Sequence, residues 1–430
     1  MLSQLKQLRR VVITGMGCVT PIGLNRQNFW SALGRGDSGV RRIEAFDVSS
    51  SPVKIAAQVR GFDWEAQLNP KDRKHVPRTV PLALAAAREA IADSGISAET
   101  LSLEQRRRFG VVLGTGGGGL AFTEQQYSYW FNGPATKASV YTIPASTHGG
   151  LSSELSMAFG LRGLSHVVST GCTSSTDAMA YAAQHIALGR QDVMLSGGVD
   201  APIAPGILAG FNLMTVLTNE WNDEPERASR PFSLDRSGIV LGEGAWVYVL
   251  EDLVRAQERG AKIYGEITGY GATCDAYHRV RLEESGDEPA RAMKLALEDA
   301  GKRPEEVDYV NLHGTSTVLN DRIETSALKL ALNGRAINTP MSATKSQIGH
   351  PQGASGAAGI GAALFAMNTG TIPPTINLDS PDPACDLDYV ANDARHSEVK
   401  VALCNCIGFG SKNSALVLEK LETVASDGDR

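Results

Sequence analysis

One cysteine stands where a thiol can act as a nucleophile. Residues 167–175 read VVSTGCTSS, so the chain leaves an apolar strand, turns at Gly171 and begins a helix at or just after Cys172. The positive end of a helix dipole lowers the pKa of a thiol, and free N–H groups at such a turn can bind an oxyanion. The pattern predicts a thiolate nucleophile suited to a thioester carbonyl. The other five cysteines are interpreted as ordinary core residues: Cys18, Cys274, Cys385, Cys404 and Cys406.

Two histidines lie on loops that would admit a substrate. His313 lies in YVNLHGTST, and His350 lies in KSQIGHPQGASGA, directly before a helix of small residues. Small neighbours allow a substrate to approach an imidazole closely, which a packed structural histidine does not require. A lone histidine is more often structural, but two on such loops, together with a candidate nucleophile, favour catalysis.

Zinc binding is the rival use of these residues. The chain lacks a His-x-x-x-His spacing, and Cys404-x-Cys406 alone is a weak ligand pair. No phosphate-binding loop or redox-cofactor motif stands out. We therefore expect neither a metal nor a cofactor.

Composition is that of a soluble globular protein. The 430 residues are 42% apolar and 20% charged, and the net charge of −6 argues against a broad nucleic-acid or anionic membrane surface. Six cysteines in so long a chain do not make a disulfide framework. The start, MLSQLKQLRRVVITG, has no apolar signal core, and no stretch reaches the roughly 18 apolar residues of a membrane span. We expect a cytoplasmic protein with no membrane or nucleic-acid partner.

The order of segments repeats along the chain. Short β-branched runs alternate with Ala-rich helical runs, which predicts α/β layers. ALAAAREAIADSG precedes FGVVLG in the first half, and ARAMKLALEDAG precedes YVNLHG in the second. A duplicated unit explains both, although two similar units can arise by chance in an α/β protein. The repeat predicts two halves, residues 1–260 with the cysteine and residues 261–430 with the two histidines.

Taken together, the motifs resemble a known family, the elongating β-ketoacyl-acyl-carrier-protein synthases of the thiolase superfamily. Similar stretches cover nearly the whole chain in order: VVITGMGCVTPIG, STGCTSS, RPFSLDRSGIVLGEGA, HGTSTVLND, KSQIGH, PPTINLD and NCIGFGSKN. The resemblance implies a thiolase-like α/β fold with two pseudo-twofold related halves in an αβαβα layered core. It also implies an acyltransferase that extends an acyl chain by two carbons through decarboxylative Claisen condensation, in fatty acid or type II polyketide or polyene synthesis.

The resemblance implies a role for each motif residue. Cys172 would be the acylated nucleophile, while His313 and His350 would assist malonyl decarboxylation and stabilise the enolate and thioester oxyanions. Lys345 and Glu324 would support them structurally and electrostatically. The backbone amides of Cys172 and Phe409 would form the oxyanion hole, and the Phe409 ring would gate the site. The expected substrate-binding residues are Gly117, Thr315, Thr317, Gly408 and Gly410.

The chain departs from the family pattern at positions that the resemblance assigns to the gate and entrance. Ser411 and Lys412 stand where small or neutral residues are expected, and Trp246 replaces a small residue. Gly117 stands where many relatives carry a bulky side chain that closes the acyl pocket. We therefore predict an open acyl tunnel that accepts long, rigid or polyene-like chains, unless another side chain refills the space.

An acyl carrier protein is the implied partner, with malonyl and acyl thioesters as substrates. Carrier proteins of this kind are acidic, so a basic entrance is expected, although each basic residue taken singly is equally well explained as solvated surface charge. The resemblance further implies a dimer, either a homodimer or a heterodimer with a chain-length partner. The candidate carrier-binding residues are Lys71, Arg73, Lys74, Arg279 and Arg281.

Two other functions fit parts of the sequence. A thiolase acting on coenzyme A esters would explain GHPQGASGA and the Cys406-Ile407-Gly408 segment, but HGTST stands where thiolases carry an Asn-Glu-Ala-Phe type motif. A non-catalytic chain-length subunit would resemble the family but usually lacks the nucleophile, which Cys172 supplies. The chain can still be the catalytic half of such a heterodimer.

Overall fold

A ten-stranded mixed sheet organises the chain, whose structure is a computed structural model that describes residues 8–421. The outer ends of the two predicted halves, residues 1–7 and 422–430, lie outside the described residues. The strands are β1 (Val11–Val19), β2 (Arg41–Arg42), β3 (Ile55–Ala56), β4 (Phe109–Gly114), β5 (Ser165–Val168), β6 (Val193–Asp200), β7 (Gly244–Asp252), β8 (Gly265–Cys274), β9 (Tyr309–Asn311), β10 (Met341–Ser342), β11 (Thr371–Ile372), β12 (Arg395–His396), β13 (Val401–Gly408) and β14 (Lys412–Glu419).

Helices cover both faces of this sheet, which suits the long apolar runs of its strands. They are α1 (Arg26–Arg35), α2 (Thr79–Ser94), α3 (Leu103–Arg107), α4 (Leu120–Asn132), α5 (Thr142–Ser146), α6 (Gly150–Phe159), α7 (Ser174–Ala187), α8 (Pro205–Leu213), α9 (Leu253–Glu258), α10 (Asp287–Asp299), α11 (Val318–Leu332), α12 (Lys345–Ile348) and α13 (Ser355–Thr369). Within the described residues, no helix is both long and apolar enough to span a membrane.

The sheet order exposes the internal repeat. The order is β10-β9-β13-β14-β8-β1-β7-β6-β4-β5, with β1 and β8 paired antiparallel at the centre. Counted from the sheet edge inwards, each half contributes its third, second, fourth, fifth and first strand. In each half the outer three strands are parallel and the inner two are antiparallel to their neighbours. The predicted pair of related halves is therefore present in the topology, while the boundary at residue 260 stays a prediction.

The inner strand of each half lies directly under a helix. In β1, a Cβ added at Gly15 or Gly17 would lie 2.1 Å from a backbone oxygen of α2. In β8, a Cβ added at Gly269 or Gly271 would lie 2.1 Å from a backbone oxygen of α10. Only glycine permits so close a helix–strand contact. The same device in equivalent strands is a second mark of the repeat.

Two largely buried helices form the middle layer. Helices α7 and α13 contact each other, and each contacts strands of both halves. Both helices are rich in small residues, which allow this close packing: α7 reads SSTDAMAYAAQHIA and α13 reads SGAAGIGAALFAMNT. With α2 on one outer face and α10 on the other, the layers follow the predicted αβαβα order.

Trp246 is not at the entrance, contrary to the expectation from sequence. It lies in β7 with no exposed surface, and its ring meets that of Phe29 edge to face at a centroid distance of 6.0 Å. The substitution therefore changes core packing beneath the sheet.

Candidate active site

Loops that follow equivalent strands bring the predicted catalytic residues together. Cys172 follows β5, and His350 follows β10 and the short helix α12. His313 follows β9, and Phe409 follows β13. The carboxyl ends of parallel strands are a common place for binding sites in α/β proteins, because loops from several strands meet there. One half supplies the thiol and the other supplies both imidazoles.

The turn that carries Cys172 is sharp and tightly held. Gly171 has a φ of +75°, a conformation that favours glycine, and Cys172 lies in the single 3-10 turn before α7 begins. The hydroxyl of Thr173 donates to Asp177 at 3.0 Å, and the hydroxyl of Tyr270 in β8 donates to the same carboxylate at 2.8 Å. Residues of both halves therefore fix the nucleophile turn.

The pKa of the Cys172 thiol is raised, whereas the sequence pattern predicted a lowered pKa. Burial raises the pKa of Cys172 to about 11, although the positive charge of Lys345 and the backbone N–H groups of Phe409 and Cys172 oppose the rise. The prediction of a low pKa is wrong because desolvation of the thiolate outweighs these favourable charges and dipoles. A thiol with this raised pKa is protonated near neutral pH, so it must lose its proton when the sulfur attacks.

This pKa has a direct chemical consequence for alkylation. We expect iodoacetamide to alkylate Cys172 about tenfold faster for each unit of pH between about pH 7 and about pH 10, because the reactive thiolate increases in that proportion below the pKa. Mass spectrometry of the Cys172 peptide at a series of pH values measures the rate, with exposed Cys274 as an internal reference. A rate that levels off near neutral pH would contradict a raised pKa.

The two imidazole rings meet edge to face beside the sulfur. The Cys172 sulfur and one ring nitrogen of each of His313 and His350 lie within 4.8 Å of one another. The two rings are nearly perpendicular, at 87°, with centroids 5.5 Å apart. Burial, aided by the charge of Lys345, holds the pKa of both histidines well below the usual range. Both rings are therefore neutral at physiological pH.

Hydrogen bonds select the tautomer of each ring. The Nδ1 of His350 accepts from the backbone N–H of Gln352 at 3.0 Å and lies 3.3 Å from the Ser355 hydroxyl. The Nδ1 of His313 lies 3.4 Å from the Lys345 ammonium, which also donates to the His313 carbonyl at 2.6 Å. With Nδ1 occupied as an acceptor, each ring carries its proton on Nε2 and can donate it to a substrate oxygen.

Glu324 and Lys345 both bind the His313 loop. The buried Glu324 carboxylate accepts the N–H groups of His313 and Gly314 and the side-chain amide of Asn405, each at 2.7 Å. Burial lowers the pKa of Lys345, whose ammonium donates to the His313 carbonyl. Neither group has a position that requires it to react.

Within the described residues, the cysteine and the two histidines also form a group of side chains close enough together to hold a metal ion. Cys172, His313 and His350 offer one sulfur and two nitrogens. The ammonium of Lys345 beside His313 opposes a cation at this place, since like charges repel strongly in a buried site. The donor set is better suited to stabilising negative charge.

The cluster opens into a cavity of about 220 Å³. Of the expected substrate-binding residues, Thr315, Thr317 and Gly408 line it, as does Phe409. Gly410 is not among the lining residues, and its N–H donates to the Arg279 carbonyl at 2.8 Å. Gly117 also lies outside this lining.

The predicted basic residues fall into two groups. Arg281 is exposed and lines the cavity, and the Arg279 carbonyl, two residues away, accepts the N–H of Gly410 in the loop after β13. Lys71, Arg73 and Lys74 do not line this cavity, and Arg73 pairs with Glu65. Of the five residues, only Arg279 and Arg281 lie at the entrance of this cavity.

Cys406 is a site neighbour that the sequence analysis treated as ordinary core. Its thiol donates to the backbone oxygen of Cys172 at 3.0 Å and lies 3.5 Å from the Nδ1 of His313. Its position in β13, three residues before Phe409, was the signal available in the sequence.

Comparison with known proteins agrees with this geometry. Residues 8–256 match the family described as beta-ketoacyl synthase, N-terminal domain, and residues 264–379 match the beta-ketoacyl synthase, C-terminal domain. The 3-oxoacyl-[acyl-carrier-protein] synthase 2 of Coxiella burnetii is 40% identical over 96% of this chain and 99% of that protein. The putative polyketide beta-ketoacyl synthase 1 of Streptomyces halstedii is 41% identical over 95% of this chain and 98% of that protein.

Solved structures give the same result. The ishigamide ketosynthase/chain length factor matches with a TM-score of 0.88 and 32% identity, covering 96% of this chain and 100% of that chain. A type II polyketide synthase acyl carrier protein in complex with its ketosynthase matches with a TM-score of 0.87 and 30% identity, covering 97% of this chain and 100% of that chain.

Fold and site together define a condensing enzyme of the acyltransferase class. The chain belongs to the beta-ketoacyl synthase family. This confirms the resemblance drawn from the motifs and the predicted thiolase-like fold. It also favours a ketosynthase over a thiolase acting on coenzyme A esters.

Proposed function

We propose that this chain transfers an acyl group from an acyl carrier protein to Cys172, decarboxylates a malonyl thioester and joins the two by Claisen condensation. The observation that carries the proposal is the contact between a buried thiol and two neutral imidazoles whose donor atoms lie within 4.8 Å of one another. The relatives named 3-oxoacyl-[acyl-carrier-protein] synthase 2 and polyketide beta-ketoacyl synthase 1 are about equally similar, so either fatty acid or polyketide synthesis fits the chain.

Acyl transfer begins with the Cys172 sulfur. The Cys172 sulfur attacks the carbonyl of the acyl thioester, and the proton that its thiol loses is the one that the departing carrier sulfur takes up; the backbone N–H groups of Cys172 and Phe409 receive the developing oxyanion. The carbon–sulfur bond to the carrier then breaks, and the carrier thiolate takes up a proton. The product is a thioester on Cys172.

Decarboxylation uses the imidazole pair. When the malonyl thioester loses CO₂, the electron pair of the breaking bond forms an enolate whose oxygen accepts hydrogen bonds from the Nε2–H groups of His313 and His350. The enolate carbon attacks the acyl carbonyl on Cys172, and the thiolate leaves. Neutral rings suit this role, because each donates a proton to a hydrogen bond without having to lose it.

A single assay separates this reaction from the thiolase alternative. We expect the chain to release CO₂ from a malonyl carrier thioester and to form a product two carbons longer than the acyl donor, and we expect Cys406→Ala to retain this activity. A thiolase would condense two acyl-coenzyme A esters without CO₂ release and would need a second cysteine. Loss of condensation in Cys406→Ala, with no CO₂ released by the wild type, would contradict the proposal.

We further propose that the carrier docks beside Arg279 and Arg281. Arg281→Glu should lower kcat/KM about tenfold for carrier-bound substrate and leave it unchanged for a short pantetheine thioester, because a rim charge acts mainly on encounter with a charged partner. Kinetics at low and high salt measure this difference. Arg291→Glu, a similar reversal on exposed α10, is the matched control. Equal losses in both variants would point to a general charge effect.

Chain-length preference should depend on Gly117. A Cβ at this position would lie 3.5 Å from an Asp200 oxygen and 4.0 Å from the Leu120 side chain, so a Cβ is accommodated at ordinary contact distances. Gly117→Ile should lower the ratio of long-chain to short-chain acylation of Cys172 about tenfold, by narrowing the acyl tunnel. Gly117→Ala is the graded control. A ratio equal to that of the wild type would discard the open-tunnel proposal.

We propose that the chain works as a dimer, either with itself or with a chain-length partner. Helix α4 packs against α5 and α8, and the segment exposes several large apolar side chains. Phe131 is 81% exposed and Leu213 is 86% exposed, which is costly for a free surface. Size-exclusion chromatography of the chain alone, and then with the product of a neighbouring gene, distinguishes a homodimer from a heterodimer.

We also propose a cytoplasmic location. The cysteines of the described chain are all free, including Cys172. Acylation requires Cys172 as a thiol, and a reducing compartment keeps it in that form.

A further inference from the structure

A buried carboxylate outside the predicted site gathers four hydrogen bonds. Asp200, at the end of β6, is 1% exposed. One of its oxygens accepts from the Thr115 hydroxyl at 2.9 Å and the Gly117 N–H at 3.0 Å. The other accepts from the N–H groups of Gly116 and Gly353, each at 2.6 Å. Because every partner is a donor, the group is satisfied only as an ionised carboxylate, although burial raises its pKa.

The hydrogen bond from the Gly353 N–H connects Asp200 to the turn that follows His350. The turn after His350 contains Gln352, whose φ of +47° is rare for a residue with a side chain. The N–H of Gln352 occupies the Nδ1 of His350 at 3.0 Å and so sets the ring tautomer. A Cβ added at Gly353 would lie 2.1 Å from the Gly116 nitrogen, so the turn lies hard against the glycine loop. Asp200 therefore holds a strained turn on which the orientation of the His350 ring depends.

The histidine main chain is fixed separately. The His350 N–H donates to the Val240 carbonyl at 2.7 Å, and the His350 carbonyl accepts from the Gly242 N–H at 3.0 Å. Loss of the Asp200 bonds should therefore leave the residue in place and affect mainly the ring. This separates a positioning role from a general structural one.

The other half of the molecule uses the same arrangement. Glu324 accepts consecutive N–H groups of the loop after β9, at His313 and Gly314. Asp200 accepts consecutive N–H groups of the loop after β4, the equivalent strand, at Gly116 and Gly117. Asp200 differs in that it also reaches across to the His350 turn.

We propose that Asp200 is a positioning residue for decarboxylation. Its carboxylate ties the turn that orients His350 to the glycine loop, and so keeps the Nε2–H of His350 directed at the enolate oxygen. Displacement of a hydrogen-bond donor by a fraction of an ångström is costly when it must meet a charge that develops only in the transition state. Acylation of Cys172 needs this ring less, because backbone N–H groups receive that oxyanion.

Asp200→Asn tests the proposal, because an amide NH₂ cannot accept the two N–H groups that one carboxylate oxygen receives. We expect kcat for malonyl decarboxylation to fall about tenfold to hundredfold, with KM nearly unchanged and acylation of Cys172 within about twofold of the wild type. Asp200→Glu should recover part of the loss. The matched control is Glu251→Gln, which alters a fully buried carboxylate of β7 that is bonded to Arg255 of α9 and to Arg259 just after it, and which should leave both rates unchanged.

Two results would overturn the proposal. One is decarboxylation by Asp200→Asn at the wild-type rate. The other is an equal fall of decarboxylation and acylation, which would indicate a purely structural role. If Asp200→Asn does not fold, Thr115→Val removes one of the four donors at nearly constant shape, and it should give the same unequal pattern at a few-fold level. Equal rates in that variant and the wild type would count against the proposal as well.

Discussion

Replacing Cys172 with alanine should abolish condensation while malonyl decarboxylation continues. Without the sulfur no acyl-enzyme forms, so condensation should fall by about four to six orders of magnitude. The imidazole pair and its supports remain, because Lys345 and Glu324 hold His313 through bonds that do not involve the thiol. Product analysis should therefore find CO₂ and an acetyl thioester with no elongated chain.

The control for this variant is another buried cysteine. Cys404→Ala removes a thiol from the same region of the core, at a residue that is 3% exposed and lies in β13. It should keep condensation within about threefold of the wild type, since the change deletes only a small buried group. Condensation by the Cys172→Ala enzyme at a comparable rate would refute covalent catalysis at that position.

Removing either imidazole should have the opposite pattern. His313→Ala and His350→Ala each lose one donor to the enolate oxygen, so malonyl decarboxylation should fall about a hundredfold to a thousandfold. Acylation of Cys172 should remain within about tenfold of the wild type, because the backbone N–H groups of Cys172 and Phe409 still receive that oxyanion. Because the two rings act on one oxygen, the double variant should lose less than the product of the single effects.

Radiolabelled CO₂ release and intact-protein mass spectrometry measure the two half-reactions separately. His185→Ala is a suitable control, since His185 lies on α7 against Tyr181, away from the cavity. In His313→Ala and His350→Ala, the residual rate of decarboxylation should not change with pH above about pH 6.5, because the lowered pKa of the remaining histidine leaves its ring neutral there. Wild-type decarboxylation in His313→Ala or His350→Ala would exclude the proposed role of that ring.

Local residue patterns picked out the cysteine and the two histidines that the fold brings together. The turn at Gly171 and the glycine-rich loops around His313 and His350 are encoded by neighbours in sequence, so their place between strand and helix could be predicted directly. The repeat was visible for the same reason, because each unit is a local helix–strand succession. The family motifs then supplied roles for the residues.

Properties that arise only in the folded state could not be predicted in this way. The raised pKa of Cys172 comes from desolvation by segments distant in sequence, and the helix-end argument saw only the favourable local dipole. Asp200 and Cys406 reach the site through contacts with loops more than 80 residues away. Trp246 lies in the core because β7 is buried on both faces.

Glycine caused the clearest error in element bounds. The β-branched run in the sequence predicts a first strand over residues 10–14 and no strand over residues 265–274, because glycine usually interrupts a strand. In the folded chain, Gly17 and Gly271 continue these strands where a helix lies directly against them. That helix contact is tertiary and is not visible in a local pattern.

The central claim is that the reaction passes through an acyl group on Cys172, and a pulse-and-chase experiment read by mass spectrometry tests it most directly. The protein is first mixed with an acyl carrier thioester alone, and malonyl carrier thioester is added afterwards. We expect the protein to gain the mass of one acyl group on the peptide that contains Cys172, and to lose it on the second addition as a product two carbons longer appears. An acyl group on another residue, or elongated product formed while the Cys172 peptide stays unmodified, would contradict the claim.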